Sequence, residues 1–212
     1  MLKAAAPTIY SYVVARDFGF APNPFHGVCT LATCKPRIRK AASVGDWVVG
    51  TGSGAASRQR AGYLVYAMKV EETLTFDQYW ADERFLLKRP NLRSSKKMAF
   101  GDNIYHRMGA GYDWKQLDSH HALPDGRTNK FNLNTDTSVN RVLVSRTFTY
   151  WGGQGPQVPA QFRNYDGDDI VCAARNHRSN FAPQMVLDFL KWLEALAHEG
   201  YVGEPLDWDH TP

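Results

Sequence analysis

A single long apolar stripe near the carboxyl end predicts an amphipathic helix, so the fold of this chain cannot be purely β. Within residues 183–199, six apolar side chains recur at the spacing of one helix face, with Pro183 near the start and Gly200 just past the end. The six are Met185, Val186, Phe189, Leu190, Leu193 and Leu196. Residues 8–15 and 139–150 are instead rich in β-branched and aromatic residues, which predicts strands. The sequence therefore predicts an α+β fold with one well-defined helix.

Shorter elements are predicted between these segments. We expect strands over residues 46–50, 61–72 and 169–174, a short helix over 37–42 after Pro36, and a helix over 75–87 with Thr75 as its N-cap. The motif GTGSG, residues 50–54, predicts a flexible loop over residues 50–57, because the third glycine and the apolar helix of a dinucleotide-binding fingerprint are missing. The residues between 88 and 138 are polar and rich in turn formers, so any elements there should be short. These segments indicate a β-rich core with flanking helices.

Composition points to one compact domain spanning residues 1–212. The chain is 43% hydrophobic and 22% charged, which is ordinary for a globular protein of this length. The opening residues, MLKAAAPTIY, do not form a signal peptide, and no apolar run is long enough to cross a bilayer. We therefore expect a cytoplasmic protein without membrane contact, in which the three cysteines are reduced.

The net charge of +4 is unevenly distributed along the chain. Residues 35–107 carry 14 Lys and Arg against 7 Asp and Glu, whereas residues 181–212 carry one Lys against six acids. Positive potential attracts phosphates, so the middle of the chain is the candidate anion-binding region. There Arg37, Arg39 and Lys40 precede Trp47, and an arginine fork beside an aromatic ring suits a phosphate-bearing base. The alternative is that Trp47 simply fills the core.

Two groups of residues could carry chemistry. Lys35 and Arg37 follow Cys34, and nearby cations favour a reactive thiolate, although a buried inert cysteine is the alternative. No histidine lies close to Cys34 in sequence, but one could approach it in space.

A second group of polar residues could bind a divalent metal, but the spacing of these residues matches no zinc motif. We therefore predict that they are hydrogen-bonding loop residues, with no metal and no cofactor. This group comprises Asp102, His106, Asp118, His120 and His121.

Ring-bearing side chains cluster on two loops rich in glycine and proline. Phe18, Phe20 and Phe25 lie on the first, and Tyr150 and Trp151 precede the second. Such rings could form a stacking cage for a ligand, or fold inward as a small satellite cluster.

The stretch YSYVVARDFGFAPNPFHGVCTLATCKPRIRKAASVGDWVVGTGS, followed by GDNIYH, resembles the second type of nucleotide-modification-associated domain, found in phage and bacterial systems linked to modified bases. A further similarity is architectural, to PUA-like domains of the EVE, YTH and ASCH kind. It implies a PUA-like β-barrel, or a strongly bent mixed sheet, whose pocket reads a single, often modified, base. Val44 to Asp46 match the turn of that pattern, Trp47 to Val49 match the barrel strand, and Arg37 and Arg39 fall where pocket-lining residues precede it.

These observations support one main hypothesis and two alternatives. The main hypothesis is a domain that binds a nucleotide or an extruded modified base, with cations on the phosphate, rings on the base and polar side chains on the base edge. The predicted ligand-binding residues are Asp17, Phe20, Asn23, Phe25, Arg37, Arg39, Lys40, Trp47, Thr51, Asn103 and Trp151. The first alternative is a nucleotide- or base-modifying enzyme that uses Cys34, or the region of Asp102, His106, His120 and His121. The second is an interaction module that docks a partner through the aromatic loop. The sequence leaves open which base is bound, whether the nucleic acid is DNA or RNA, and the oligomeric state.

Overall fold

The computed structural model describes residues 6–55, 59–109, 111–172 and 176–210. Its strands are β1 (Ile9–Val14), β2 (Cys29–Leu31), β3 (Trp47–Gly52), β4 (Leu64–Lys69), β5 (Glu72–Leu74), β6 (Tyr105–His106), β7 (Lys115–Gln116), β8 (Val142–Ser145), β9 (Phe148–Tyr150), β10 (His177–Arg178) and β11 (Gly200–Tyr201). Its α-helices are α1 (Pro36–Ala41), α2 (Phe76–Ala81), α3 (Lys96–Ala99), α4 (Lys130–Thr137) and α5 (Pro183–Ala195). Short 3-10 helices cover Glu83–Lys88, Gly152–Gln154, Ala160–Phe162 and Leu206–His210. Within the described ranges, every helix is too short or too polar to span a bilayer.

The chain forms two compact units, each assembled from separate stretches of sequence. The sheet unit comprises Met1–Asp17, Ala42–Val70 and Thr147–Pro212. The network unit comprises Phe18–Ala41 and Glu71–Arg146. The expectation of one domain over residues 1–212 stays a prediction.

The sheet unit contains a six-stranded mixed sheet in the order β10-β1-β3-β4-β9-β11. The β1 and β3 strands run parallel in its interior, and β1 is buried along nearly its whole length, as strands covered on both faces are. The apolar stripe of α5 forms a core with residues from the sheet, including Val49, Leu64 and Ala67. The predicted α+β class and carboxyl-terminal helix are confirmed. Among the described residues the sheet ends at β10 and β11, so it is an open mixed sheet and not a closed barrel.

Two glycines of the GTGSG motif lie inside β3 at points of close packing. A Cβ atom at Gly50 would lie 2.4 Å from the Tyr66 ring, and one at Gly52 would lie 2.4 Å from the Arg60 carbonyl oxygen. Only glycine fits such approaches without displacement of the neighbouring atoms. The motif therefore extends the strand, where the sequence had predicted a flexible loop from residue 50 to residue 57. Residues 56 and 57 lie outside the described residues.

The network unit combines a three-stranded antiparallel sheet, in the order β2-β8-β5, with the hairpin of β6 and β7 and helices α1 to α4. Buried polar groups hold its first segments together. The Asp102 carboxylate accepts hydrogen bonds from Tyr79 Oη at 2.7 Å and Thr30 Oγ1 at 2.8 Å. The Lys88 ammonium donates to Asn23 Oδ1 at 2.6 Å and to the Val28 carbonyl at 2.6 Å. Because each buried charge is hydrogen-bonded, the network fixes β2 and the loop before it.

The aromatic loop folds inward onto this network. Phe20 and Phe25 are buried, and Phe18 stacks on Phe100 with ring centroids 5.3 Å apart. Of the two arrangements that the sequence allowed, the satellite cluster describes these rings better than an open cage.

Several predicted elements are divided differently in the structure. The strand expected over residues 61–72 is two strands, β4 and β5, in different sheets, and the strand expected over 139–150 is β8 and β9. The helix expected over 75–87 begins at the predicted Thr75 cap but ends at Ala81, because Asp82 has extended backbone angles and caps the following 3-10 helix through Arg84. No strand forms over residues 169–172, and residues 173–174 lie outside the described residues.

Candidate active site

Cys34 lies at a sharp turn between β2 and α1. Its φ angle is 56°, and that of Lys35 is 44°, so two successive non-glycine residues adopt left-handed conformations. Such conformations are unfavourable for these residue types and are concentrated at functional sites. Pro36 then begins α1 with a φ angle that suits a first helical residue. The turn holds a half-buried thiol in a defined position.

His121 and Asp136 extend from this thiol as a linear relay. Cys34 Sγ lies 3.6 Å from His121 Nε2, and His121 Nδ1 lies 2.8 Å from Asp136 Oδ2. Both ring nitrogens are therefore engaged, one by the thiol and one by the carboxylate. A nucleophile, a base and a group that orients the base in this order are the arrangement of nucleophilic enzymes.

Asp136 joins the relay to the turn that carries the Cys34 thiol. Its Oδ1 accepts the backbone N–H of Cys34 at 2.7 Å, while its Oδ2 also accepts Tyr105 Oη at 2.9 Å. The carboxylate is buried, with every described neighbour of its oxygens acting as a donor. Burial, together with the charge of Asp136, raises the pKa of Tyr105, so the phenol stays protonated as a donor.

Arg39 fixes the backbone at both ends of the relay. The buried guanidinium donates from Nε to the Cys34 carbonyl at 2.9 Å and from Nη2 to the Asp136 carbonyl at 2.6 Å. Its Nη1 donates to the carbonyls of Val139 and Arg141, at 2.8 and 2.5 Å. Burial lowers the pKa of Arg39 to about 10, which leaves the group charged at neutral pH. Arg39 is thus a positioning residue, since a planar fork can span carbonyls from separate segments.

The surroundings of His121 favour its protonated form. Burial works to lower the pKa of the ring, but the hydrogen bonds to Asp136 and Cys34 outweigh burial and raise the pKa to about 9. At neutral pH the imidazolium donates from both nitrogens, to the carboxylate and to the sulfur. A cation that donates to a cysteine sulfur is the arrangement by which thiol enzymes generate a thiolate.

The same three side chains could be considered as metal ligands. Their ligand atoms all lie within 4.8 Å of one another. However, Cys34 and Asp136 face opposite nitrogens of the same imidazole ring, so an ion bound to Sγ and Nε2 would leave Asp136 as an outer hydrogen-bond partner. Two protein ligands are fewer than zinc sites use. The geometry therefore favours a proton relay over a metal centre.

The predicted site residues of the network unit have different environments. Phe20 contacts the His121 ring at a centroid distance of 4.6 Å, and Arg37 and Lys40 are exposed on α1. The other predicted residues of this unit are buried or stacked within it: Asn23 and Asn103 donate to backbone carbonyls, Phe25 is in the core, and His106 stacks on Trp80 at 3.8 Å. Asp102 belongs to the buried network described above, and His120 is exposed among Phe18, Phe20 and Phe100. The structure thus unites Cys34 with His121, while the binding roles of the others stay predictions.

The sheet unit contains the remaining predicted residues. Asp17 is buried and accepts hydrogen bonds from the Tyr150 hydroxyl and from the Leu206 backbone, and Thr51 is buried with its hydroxyl 3.4 Å from the Tyr12 carbonyl. Trp47 is half-buried, and Trp151 is buried against the core of α5. Their roles in ligand binding also stay predictions.

Sequence reasoning missed Asp136, Tyr105 and the structural task of Arg39. Asp136 lies on α4, an eight-residue polar helix without an apolar stripe. Nothing in its spacing connects it to Cys34, 102 positions earlier. The available signal was Asn129, a strong N-cap residue whose side chain accepts from Asn132 and begins α4.

The fold and the site together define an α+β protein that carries a thiol–imidazole–carboxylate relay. The chain belongs to the family described as nucleotide modification associated domain 2, whose model matches residues 6–212. The predicted family is thereby confirmed, and it places the chain in a nucleotide-modification context. Neither the curated proteins nor the solved structures include a match to this chain.

Proposed function

We propose that this protein is a cysteine-dependent enzyme of nucleotide modification, in which Cys34 is the nucleophile, His121 the general acid and base, and Asp136 the group that orients His121. The observation that carries the proposal is the relay itself, with one imidazole bridging a thiol and a buried carboxylate. A family associated with nucleotide modification supplies the substrate context. A catalytic thiol works in a reducing compartment, and we place the enzyme in the cytoplasm.

The reaction class that suits this geometry is acyl transfer or hydrolysis at an amide or ester group on a nucleotide or its base. The Cys34 thiolate attacks the carbonyl carbon, the bond from that carbon to nitrogen or oxygen breaks, and the His121 imidazolium gives its proton to the departing atom. The product is a thioester on Cys34. Water then attacks the thioester carbon, His121 accepts a proton from that water, and the sulfur leaves as the thiolate.

The exposed cations of α1 fit the phosphate of such a substrate. Arg37 and Lys40 are exposed on α1, the helix that begins two residues after Cys34. Both side chains are positively charged hydrogen-bond donors, as phosphate binding requires. Arg39 differs from its neighbours, because carbonyl oxygens already occupy its Nε, Nη1 and Nη2 atoms. We therefore assign phosphate binding to Arg37 and Lys40 and backbone positioning to Arg39.

Reading of a modified base by a PUA-like domain, in phage or bacterial defence, is the second candidate function. The observation that favours it is a cavity in the sheet unit lined by both Trp47 and Trp151. Base recognition and thiol chemistry are compatible in one chain.

Alkylation by iodoacetamide, followed by peptide mapping, tests the relay without knowledge of the substrate. We expect Cys34 to be labelled before the other two cysteines when all are treated at about pH 6, since burial raises the pKa of Cys29 to about 12 and also raises that of Cys172. His121→Ala should slow the labelling of Cys34 about tenfold or more at that pH, because an ordinary thiol has little thiolate there. His120→Ala is the matched control, since His120 is adjacent but exposed.

The acyl chemistry is tested with p-nitrophenyl acetate. We expect a burst of one p-nitrophenol per chain and an acetyl group on the peptide containing Cys34, both absent in Cys34→Ala and slowed in His121→Ala. A panel of N-acyl and O-acyl nucleosides is then incubated with the protein, and mass spectrometry identifies which of them is deacylated.

In the alkylation experiment, equal labelling of Cys34 in the wild-type protein and in His121→Ala at every pH would refute the relay.

A further inference from the structure

A cavity of about 620 Å³ lies in the sheet unit. None of the residues that line it belongs to the network unit, which contains the relay. Its walls come from β3, β4, β9, one side of α5 and the segment that follows this helix, and they include Trp47, Phe148, Trp151, Leu190 and Leu193. The cavity is open to solvent along α5, where Leu187, Lys191 and Glu194 are exposed. Cavities of this size and apolar character hold small organic ligands.

One hydrogen-bonding group in the wall is fixed in both position and tautomer. The indole Nε1–H of Trp151 donates to His198 Nδ1 at 2.9 Å, and the Thr149 hydroxyl donates to the His198 carbonyl at 2.6 Å. An indole nitrogen can only donate, so Nδ1 of His198 is the acceptor and the ring proton of the neutral imidazole lies on Nε2. His198 is exposed and therefore presents an N–H donor, with Trp151 holding its ring and Thr149 holding its backbone.

The charged residues of the wall disfavour a phosphorylated ligand. Lys191 contributes one positive charge, whereas Glu194 and Glu199 contribute two negative charges. A nucleotide phosphate would meet a net negative lining, but an uncharged heteroaromatic ring would not. The half-buried indole of Trp47 supplies a flat apolar surface that suits the face of such a ring, while Phe148 and Trp151 are buried behind it in the core.

We infer that this cavity binds an uncharged nucleobase, with Trp47 as a stacking surface and His198 Nε2–H as a donor to an acceptor atom on the base edge. The inference rests on the base-reading function proposed above, for which it names the ligand class and the contacts, and it is independent of the proposed thiol chemistry. It gives the chain a recognition function in one unit and a catalytic function in the other.

Calorimetric titration of the full chain carrying Cys34→Ala tests the inference, because this variant cannot turn the ligand over. The panel contains the ordinary ribo- and deoxyribonucleosides, pyrimidine nucleosides modified at carbon 5, and the corresponding 5′-monophosphates. We expect saturable binding of one nucleoside to a single site, with its monophosphate binding no more tightly.

Two substitutions on α5 separate the cavity from the rest of the helix. Leu190→Trp fills the cavity and should weaken binding about tenfold or more, which corresponds to the loss of one stacked base contact. Ala195→Trp adds the same ring to an exposed position that lines a different cleft, and it should leave binding unchanged. His198→Ala should weaken binding of the preferred base and reduce discrimination among bases.

The possible results are distinct. Absence of saturable nucleoside binding, or binding that Leu190→Trp leaves unchanged in a protein with a normal unfolding midpoint, would overturn the inference. Binding of monophosphates alone, lost in Arg37→Ala but kept in Leu190→Trp, would also overturn it and would assign nucleotide binding to the network unit. None of these results affects the alkylation test, so the two proposals fail separately.

Discussion

The raised pKa of His121 makes a quantitative prediction about stability. The ring titrates at about 9 in the folded protein against 6.5 in an unfolded chain. Each pKa unit is worth about 1.4 kcal/mol, so the difference corresponds to about 3 kcal/mol of folding free energy. The His121 side chain is only 16% exposed, so solvent screens little of this contribution.

The sign follows from the direction of the shift. Because the folded state binds the proton more tightly, the contribution of His121 is fully present below about pH 6.5 and is lost as the pH rises through about 9. Lys88 acts in the opposite direction, since burial lowers its pKa to about 8 and stability then rises with pH above that value. A comparison between two proteins that share Lys88 removes this opposing effect.

The assay is urea unfolding of the wild-type protein and His121→Gln, under reducing conditions, between about pH 6 and pH 10. We expect the wild-type protein to lose about 3 kcal/mol relative to the variant across this range. His120→Gln, which alters the exposed neighbour, should show no such pH-dependent difference. A wild-type advantage over His121→Gln that stays constant across the range would show that Asp136 and Cys34 do not hold His121 as an imidazolium.

Two further substitutions test the positioning role of Arg39 and the N-cap of α2. Arg39→Lys keeps the positive charge, but a lysine side chain cannot donate to all four carbonyls that Arg39 contacts. We expect a loss of about 3 kcal/mol or more in the free energy of unfolding, and a loss below about 1 kcal/mol would contradict the positioning role. Thr75→Ala removes the capping box with Gln78 and should cost about 1 kcal/mol in the same assay, while Thr75→Ser should cost little; equal stability of the two variants would contradict the cap.

Local signals in the sequence predicted much of the fold. The stripe of α5, the first strand and the Thr75 cap depend on neighbouring residues, and all three occur in the structure near their predicted bounds. The breaks between β4 and β5 and between β8 and β9 were not predictable, because consecutive strands of similar composition enter different sheets. Tertiary pairing decides those boundaries, and periodicity does not report it.

The candidate site was predictable only in part, for the same physical reason. Cys34 beside cations was a visible signal, and His121 was among the polar residues considered for chemistry. Cys34 and His121 form a long-range contact, since they are 87 positions apart, and no local pattern encodes it. For Arg39 the sequence predicted the wrong partner. The cations around it predict a contact with an anion, but the side chain is buried and donates to backbone carbonyls.

The two oxygens of Asp136 have a consequence for how this family could diverge. One oxygen accepts the backbone N–H of Cys34 and the other contacts His121 Nδ1, so in the proposed mechanism the same carboxylate serves both architecture and chemistry. If the proposed catalysis were lost in a relative, the Cys34 thiol could be replaced, but the carboxylate would still be needed to hold the backbone N–H of the turn. Relatives that retain an aspartate at this position without the cysteine would then be non-catalytic binders, recognisable as such from two positions in their sequences.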